Sequence, residues 1–159
     1  MKKFLLLAVV AMFATTAFAQ DYKNAIGLRL GYGTELQYEH HFSSENYLEA
    51  NFGLSGFRGD RIFVNALYNW NLCEWNWTPK AGTWFLSAGV GGSVGLWGYE
   101  KDATHYLGAQ VGVAGDVAFG IRFNKPVTLS VDYRPTLYFL HNAWAHGFSG
   151  IALTCTYNF

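Results

Sequence analysis

Apolar and polar side chains alternate with a period of two along most of this chain. The pattern is cleanest over 150–159. Ile151, Leu153, Cys155, Tyr157 and Phe159 share one face, and Gly150, Ala152, Thr154, Thr156 and Asn158 share the other. Side chains of a strand point alternately to its two faces, so this spacing predicts a β-strand with one apolar face and one small, polar face. Seven earlier segments read the same way. Over 24–32, Ile26, Leu28, Leu30 and Tyr32 oppose Gly27, Arg29 and Gly31. Over 34–42, Leu36, Tyr38, His40 and Phe42 oppose Glu35, Gln37, Glu39 and His41. Over 47–57, Leu48, Ala50, Phe52 and Leu54 oppose Glu49, Asn51, Gly53 and Ser55. Over 61–70, Ile62, Val64, Ala66, Tyr68 and Trp70 oppose Phe63, Asn65, Leu67 and Asn69. Further strands are predicted over 83–97, 104–123 and 127–139. The strand over 104–123 is long enough to project past its neighbours or to hide a break near Gly115. Polar, Gly and Pro punctuation predicts turns at 43–46, 58–60 and 124–126, and loops at 98–103 and 141–147. The segment 71–82 reads as the longest connection on its side.

Composition decides what the apolar face meets. Charged residues are 14% of the chain, against roughly 25% in soluble globular domains. Aromatics are 18%, yet no stretch after residue 19 has the roughly 20 continuous apolar residues of a membrane helix. A water-soluble barrel would carry Lys and Glu on its polar face. Here that face is mostly Gly, Ser, Thr and Asn, which suit the crowded inside of a narrow barrel. Apolar-out, polar-in alternation marks a membrane-spanning barrel, and such barrels start at eight strands. The expected fold is therefore all-β: an eight-stranded antiparallel transmembrane up-and-down β-barrel.

The first residues predict export. Met1-Lys2-Lys3 is a positive start, residues 4–14 are apolar, and Ala17-Phe18-Ala19 precedes Gln20 as a cleavage site. The expected organisation is a cleaved signal peptide over 1–19 and an outer-membrane barrel over 20–159. Removing Lys2 and Lys3 leaves two more acidic than basic residues, so no basic excess points to nucleic acid.

Strand alternation then assigns the interior. Arg29, Glu35, Glu39, Glu49, Asp116, Arg122, Asp132 and Arg134 are expected to form a polar network in the lumen, with Gln37, Asn51 and Gln110 beside them. Buried charges of both signs need partners. Arg29 is expected to meet Glu35, Glu39 or Glu49, and Arg134 to meet Asp116 or Asp132. Such a network is either a structural plug or an ion path in which the pairs exchange. Placing both termini in the periplasm sorts the aromatics into two belts. Phe42, Trp70, Trp75, Trp77, Trp84, Phe123, Tyr157 and Phe159 fall at the periplasmic rim. Tyr32, Phe57, Trp97, Tyr99, Phe139, Trp144 and Phe148 fall at the outer rim.

Catalytic and metal chemistry finds little support. His105, His141 and His146 lie toward the outer end, but no Cys or carboxylate cluster joins them, so no metal site and no cofactor is expected. His146 with Ser149 is the nearest acid–base and nucleophile pair for an outer-leaflet lipid-modifying enzyme. A His-x-Ser run like that of the lipid A deacylases is absent, so no catalytic residue is expected. Cys73 follows the fourth strand and Cys155 lies on the apolar face of the eighth, across the barrel, so a disulfide between them is not expected.

Taken together, 20–159 resembles small bacterial outer-membrane barrels of the OmpA/OmpX type. The 22–38 opening, Val127-Thr128-Leu129-Ser130-Val131-Asp132-Tyr133-Arg134-Pro135 and the Phe159 terminus look like the porin-family barrels common in Bacteroidetes. The resemblance implies residence in the outer membrane of a Gram-negative bacterium, as a monomer among lipids that include lipopolysaccharide. It also implies delivery by periplasmic chaperones and insertion by the barrel assembly machinery, with Tyr157 and Phe159 as the assembly signal. It implies no catalytic residues. The polar lumen itself leads to the expectation of a plugged barrel with a structural or surface-interaction role, with a narrow channel for ions or small solutes as the alternative and an outer-leaflet lipid-modifying enzyme as the second alternative.

Overall fold

The computed structural model describes residues 22–55, 61–101, 104–139 and 150–159. Nearly all of them are strand: β1 (Asn24–Leu30), β2 (Gly33–His41), β3 (Asn46–Ser55), β4 (Arg61–Thr78), β5 (Gly82–Lys101), β6 (Thr104–Phe123), β7 (Val127–Tyr133), β8 (Thr136–Tyr138) and β9 (Ile151–Asn158). The order β5-β4-β3-β2-β1-β9-β7-β6 closes on itself through β5 with β6, and neighbours pair antiparallel throughout. Strands β7 and β8 are two pieces of one wall strand. Tyr133 stands opposite Val117 and Thr136 opposite Ala114, so the register continues across the interruption. The molecule is thus a closed, eight-stranded antiparallel β-barrel.

The interruption falls on Arg134 and Pro135, inside a segment whose alternation predicts one strand over 127–139. Pro has no backbone N–H to give a ladder. Its carbonyl still accepts from the Gly115 N–H at 2.9 Å. The break anticipated near Gly115 therefore lies across from it, on the partner strand, and β6 runs unbroken.

Two expected connections are strand instead. β4 continues through 71–78, so only 79–81 joins it to β5. β5 continues to Lys101 and pairs there with Thr104, where a 98–103 loop is expected. The first extension hides behind a bulge. Asn71 pairs with Ser87 and Cys73 with Leu86, leaving Leu72 without a partner. One extra residue reverses the inside-outside phase of everything after it. Tyr68 and Trp70 face out before the bulge, and Trp75, opposite outward Trp84, faces out after it.

The outer face is apolar over its whole circumference. Leu28, Leu36, Phe52, Val64, Val90, Val117, Val131 and Leu153 are among many large hydrophobics left exposed. The inner face carries nearly all the buried polar groups. Where β4 places bulk inside, its neighbours supply small residues: Leu67 faces Gly91 and Asn69 faces Gly89 of β5, and Phe63 faces Gly95 of β5 and Gly53 of β3. A Cβ on Gly89 would sit 1.7 Å from Asn69 Oδ1. Narrow barrels fill their interiors through this large-against-small alternation.

Candidate functional site

The lumen is built in three layers. The first and last described residues and the turns at 42–45, 79–81 and 124–126 share one end, here called proximal. Toward the distal end the interior holds Phe63, Asn65, Gln110 and Tyr138. The Tyr138 hydroxyl of β8 lies 3.4 Å from Ser93 Oγ of β5, so the two neighbours of β6 meet over Gly112.

An ion-pair lattice occupies the middle. Arg134, at the β7 break, points its guanidinium inward. Its Nε donates to Asp116 at 3.1 Å, its Nη1 to Glu35 at 3.0 Å, and its Nη2 to Glu49. Arg29 of β1 donates to Glu35 and, from Nε, to Asp132 at 2.6 Å. Its Nη2 also donates to the Gly150 carbonyl at 2.7 Å. Asn51 donates to Glu49 Oε1, which Arg134 also engages, at 2.7 Å, and Asn69 donates to Glu49 Oε2 at 3.0 Å. Thr154 donates to Asp132 at 2.6 Å. All these residues are buried. Two arginines thus join carboxylates from β2, β3, β6 and β7. A planar guanidinium with several fixed donors suits such multi-partner pairing better than a point charge would.

The lattice includes Arg29, Glu35, Glu49, Asp116, Asp132 and Arg134 of the expected network. Partner choice differs in part from the expected pairs. Arg29 takes Glu35 and Asp132, not Glu39 or Glu49, and Arg134 takes Glu35, Glu49 and Asp116, not Asp132. Glu39 stands apart on the proximal wall, accepting from Gln37 at 2.7 Å and lying 3.0 Å from His41. Arg122 also stands apart. It donates to Glu74 at 2.5 Å and Asn71 at 2.7 Å, 4.5 Å above the Phe85 ring. Glu74 was not visible as a lumen residue, because even-numbered positions of β4 face outward until Leu72 resets the phase.

The proximal layer is a cavity of about 500 Å³. Its inner end is the lattice, at Glu49, Asp116, Asp132 and Arg134. Its walls include Gln37, Glu39, Tyr47, Ser130 and Thr156, and its mouth includes Lys23, Ser43 and Asn158.

Outside, the same end carries an aromatic collar. Phe42 stacks on Tyr68 at 6.1 Å, and Tyr68 meets Trp70 edge-on at 5.0 Å. Farther round, Trp75, Trp77, Trp84 and Phe119 form a cluster with ring centroids 5.1 to 6.3 Å apart. Tyr157 and Phe159 stack at 6.5 Å, and Phe123 is exposed nearby on β6. At the distal end Tyr32 and Phe139 are exposed. Trp97 pairs through its backbone with Arg61 and Gly108, and its side chain lies outside the described part, as do those of Tyr99 and His105. Residues 1–21, Phe57, His141, Trp144, His146, Phe148 and Ser149 lie outside the described residues, so the signal peptide and the His146–Ser149 pair do too. Cys73 and Cys155 are both exposed and unbridged.

No protein-family model matches this chain, and no curated protein is matched by its sequence. Among solved structures, it is similar to the crystal structure of the N-terminal β-barrel domain of Pseudomonas aeruginosa OprF. The TM-score is 0.65 and the identity 9%, over 88% of this chain and 100% of that one. At that identity the likeness is one of fold: the two chains share the barrel and little of the sequence that builds it.

Proposed function

We propose that this protein is an integral outer-membrane β-barrel whose lumen is closed across its middle, with a structural or surface-interaction role and no catalytic activity. The observation that carries the reading is the lattice around Arg134 and Arg29, which ties four carboxylates from four strands inside an apolar-coated barrel. The outward face supports membrane insertion. Its exposed Leu, Val, Phe and Trp side chains would be unfavourable in water, and a closed barrel leaves no ladder unpaired in lipid. The likeness to the OprF barrel domain and the signal-peptide pattern expected over 1–19 support the outer membrane of a Gram-negative bacterium. On this reading the aromatic collar sits at the periplasmic interface. The lipid partners include lipopolysaccharide, the barrel acts as a monomer, and chaperones and the assembly machinery deliver it.

A narrow channel is the second reading, favoured by the cavity that opens at the proximal end. Planar-bilayer recording separates the two. The closed barrel is expected to give no unitary current across ±100 mV, a range on the order of a membrane potential. Reproducible steps that vanish with heat-denatured protein would establish the channel instead. Lipid A mass spectra from cells with and without the protein are expected to match; an acyl-chain difference would restore an outer-leaflet enzyme.

A further inference from the structure

The proximal cavity is rich in acid. Its lining carries Glu39, Glu49, Asp116 and Asp132, facing Arg122, Arg134 and, at the mouth, Lys23, with the His41 imidazole 3.0 Å from Glu39. That is one more acid than base, with the imidazole counted as neutral. The bases inside are already engaged: Arg122 with Glu74 and Asn71 over the Phe85 ring, and Arg29 and Arg134 with the lattice. Acidic surplus inside low-dielectric walls focuses a negative potential along the cavity.

Two buried side chains on the same wall make an independent observation. Gln37 and Thr156 are 4% and 2% exposed, and both line the cavity. Gln37 Oε1 and Thr156 Oγ1 have no hydrogen-bond partner in the protein. Gln37 gives its amide N–H to Glu39, which leaves its carbonyl oxygen free to accept. A buried acceptor without a donor is costly, and a bound positive ion or ammonium group satisfies it. Among the described residues no group of His, Cys, Asp and Glu side chains is placed to hold a metal ion directly. The ligand class is accordingly a small monovalent cation held by oxygens and field, not a chelated metal.

We propose that the proximal half of the lumen is a cation-retaining vestibule, open at the mouth between Lys23, Ser43 and Asn158, that admits small monovalent cations and excludes anions. The inference rests on the closed-lumen reading, because the lattice is what makes the cavity blind. Its consequence is a local store of positive counterions at the mouth end, kept there without transport across the barrel.

Charged thiol reagents test it. In a Cys73→Ser, Cys155→Ser background, Ser130→Cys places a thiol on the vestibule wall, and Ser43→Cys places a reference thiol at the exposed mouth. Each folded barrel is reacted with trimethylammonium-ethyl methanethiosulfonate and with its sulfonatoethyl counterpart. The ratio of the two rates at position 130, divided by that at position 43, is expected to favour the cation about tenfold. It is expected to fall toward unity in roughly 1 M salt and with Glu39→Gln added. Thr128→Cys provides a second wall position should Ser130→Cys fold poorly. A normalised ratio near one at a folded wall variant overturns the vestibule, as does failure of both reagents to react there. Bilayer recording of the same barrels keeps the two readings apart. A conducting barrel that retains the preference overturns only the closed lumen, and a silent barrel without it overturns only the vestibule.

Discussion

Arg134 does the most within the lattice, because one side chain serves three carboxylates through three different nitrogens. Removing it would leave Asp116, Glu35 and Glu49 buried together with only Arg29 nearby. Breaking a buried pair by deleting one partner typically costs about 3–5 kcal/mol. Arg134→Met is therefore expected to lower the urea-unfolding free energy of the lipid-refolded barrel by roughly that amount, with Arg29→Met giving a similar or smaller loss. Arg134→Lys is expected to recover less than half, because an ammonium cannot reproduce the planar fork. An unchanged unfolding midpoint for Arg134→Met would show that the lattice is not what holds the middle of the barrel. These residues were legible as inward charges, since alternation alone assigns Arg29, Glu35, Glu49, Asp116, Asp132 and Arg134 to one face. Their pairing was not. Arg134 meets Glu35 and Glu49 across 99 and 85 residues of sequence, through the lumen and not along a ladder. Which charges share a level depends on how each strand is staggered against the next, and no strand's own pattern contains that offset.

At the level of elements, the same alternation located every wall of the barrel but misjudged two ends and one continuity. The β4 extension was hidden because Leu72 breaks the period, so Asn71-Leu72-Cys73-Glu74 reads as a connection although it is a bulged strand. Pro135 acted in the opposite sense: the period runs on through it while the strand stops. The bulge has a chemical consequence. By turning Glu74 inward it gives Arg122 a partner, and by turning Trp75 outward it builds the cluster with Trp77, Trp84 and Phe119. The Trp84 indole N–H completes the link by donating to Thr78 Oγ1 at 2.8 Å. Arg122 thus clips the end of β4 to β6 across the intervening β5. The Arg122–Glu74 pair is half open to solvent, with side chains 28% and 46% exposed, so its loss should matter locally and not globally. Arg122→Ala is expected to speed amide exchange of residues 74–78 by about fivefold, a local change of roughly 1 kcal/mol. Exchange in β1 to β3 should not change. Equal acceleration in β1 to β3 would mean that Arg122 supports the whole barrel.

For the whole molecule, closure is the step that turns eight strands into a barrel, and it is made between β1 and β9. Their ladder runs from Ala25 opposite Asn158 to Leu30 opposite Leu153. It ends on a reciprocal pair in which the Phe159 N–H donates to the Asn24 carbonyl at 2.8 Å and the Asn24 N–H to the Phe159 carbonyl at 3.0 Å. Phe159 therefore has two separable parts: a backbone that completes the seam, and a ring that stacks on Tyr157 beside the collar. An assembly signal at Tyr157 and Phe159 would be read from their rings, whereas closure needs only the backbone. Deleting Phe159 removes both. With both backbone bonds at the rim lost, that deletion is expected to cost the refolded barrel about 1–3 kcal/mol. Phe159→Ala keeps the two backbone bonds, so its refolded stability should stay within about 1 kcal/mol of the parent. In cells the ordering should differ. If the ring is what the assembly machinery recognises, Phe159→Ala and the deletion should both lower the amount of heat-modifiable barrel in the outer membrane several-fold. If the seam alone matters, Phe159→Ala should insert like the parent and only the deletion should fail. Normal membrane yield for Phe159→Ala beside its normal refolded stability would remove Phe159 from the assembly signal, leaving it the single role of closing the barrel.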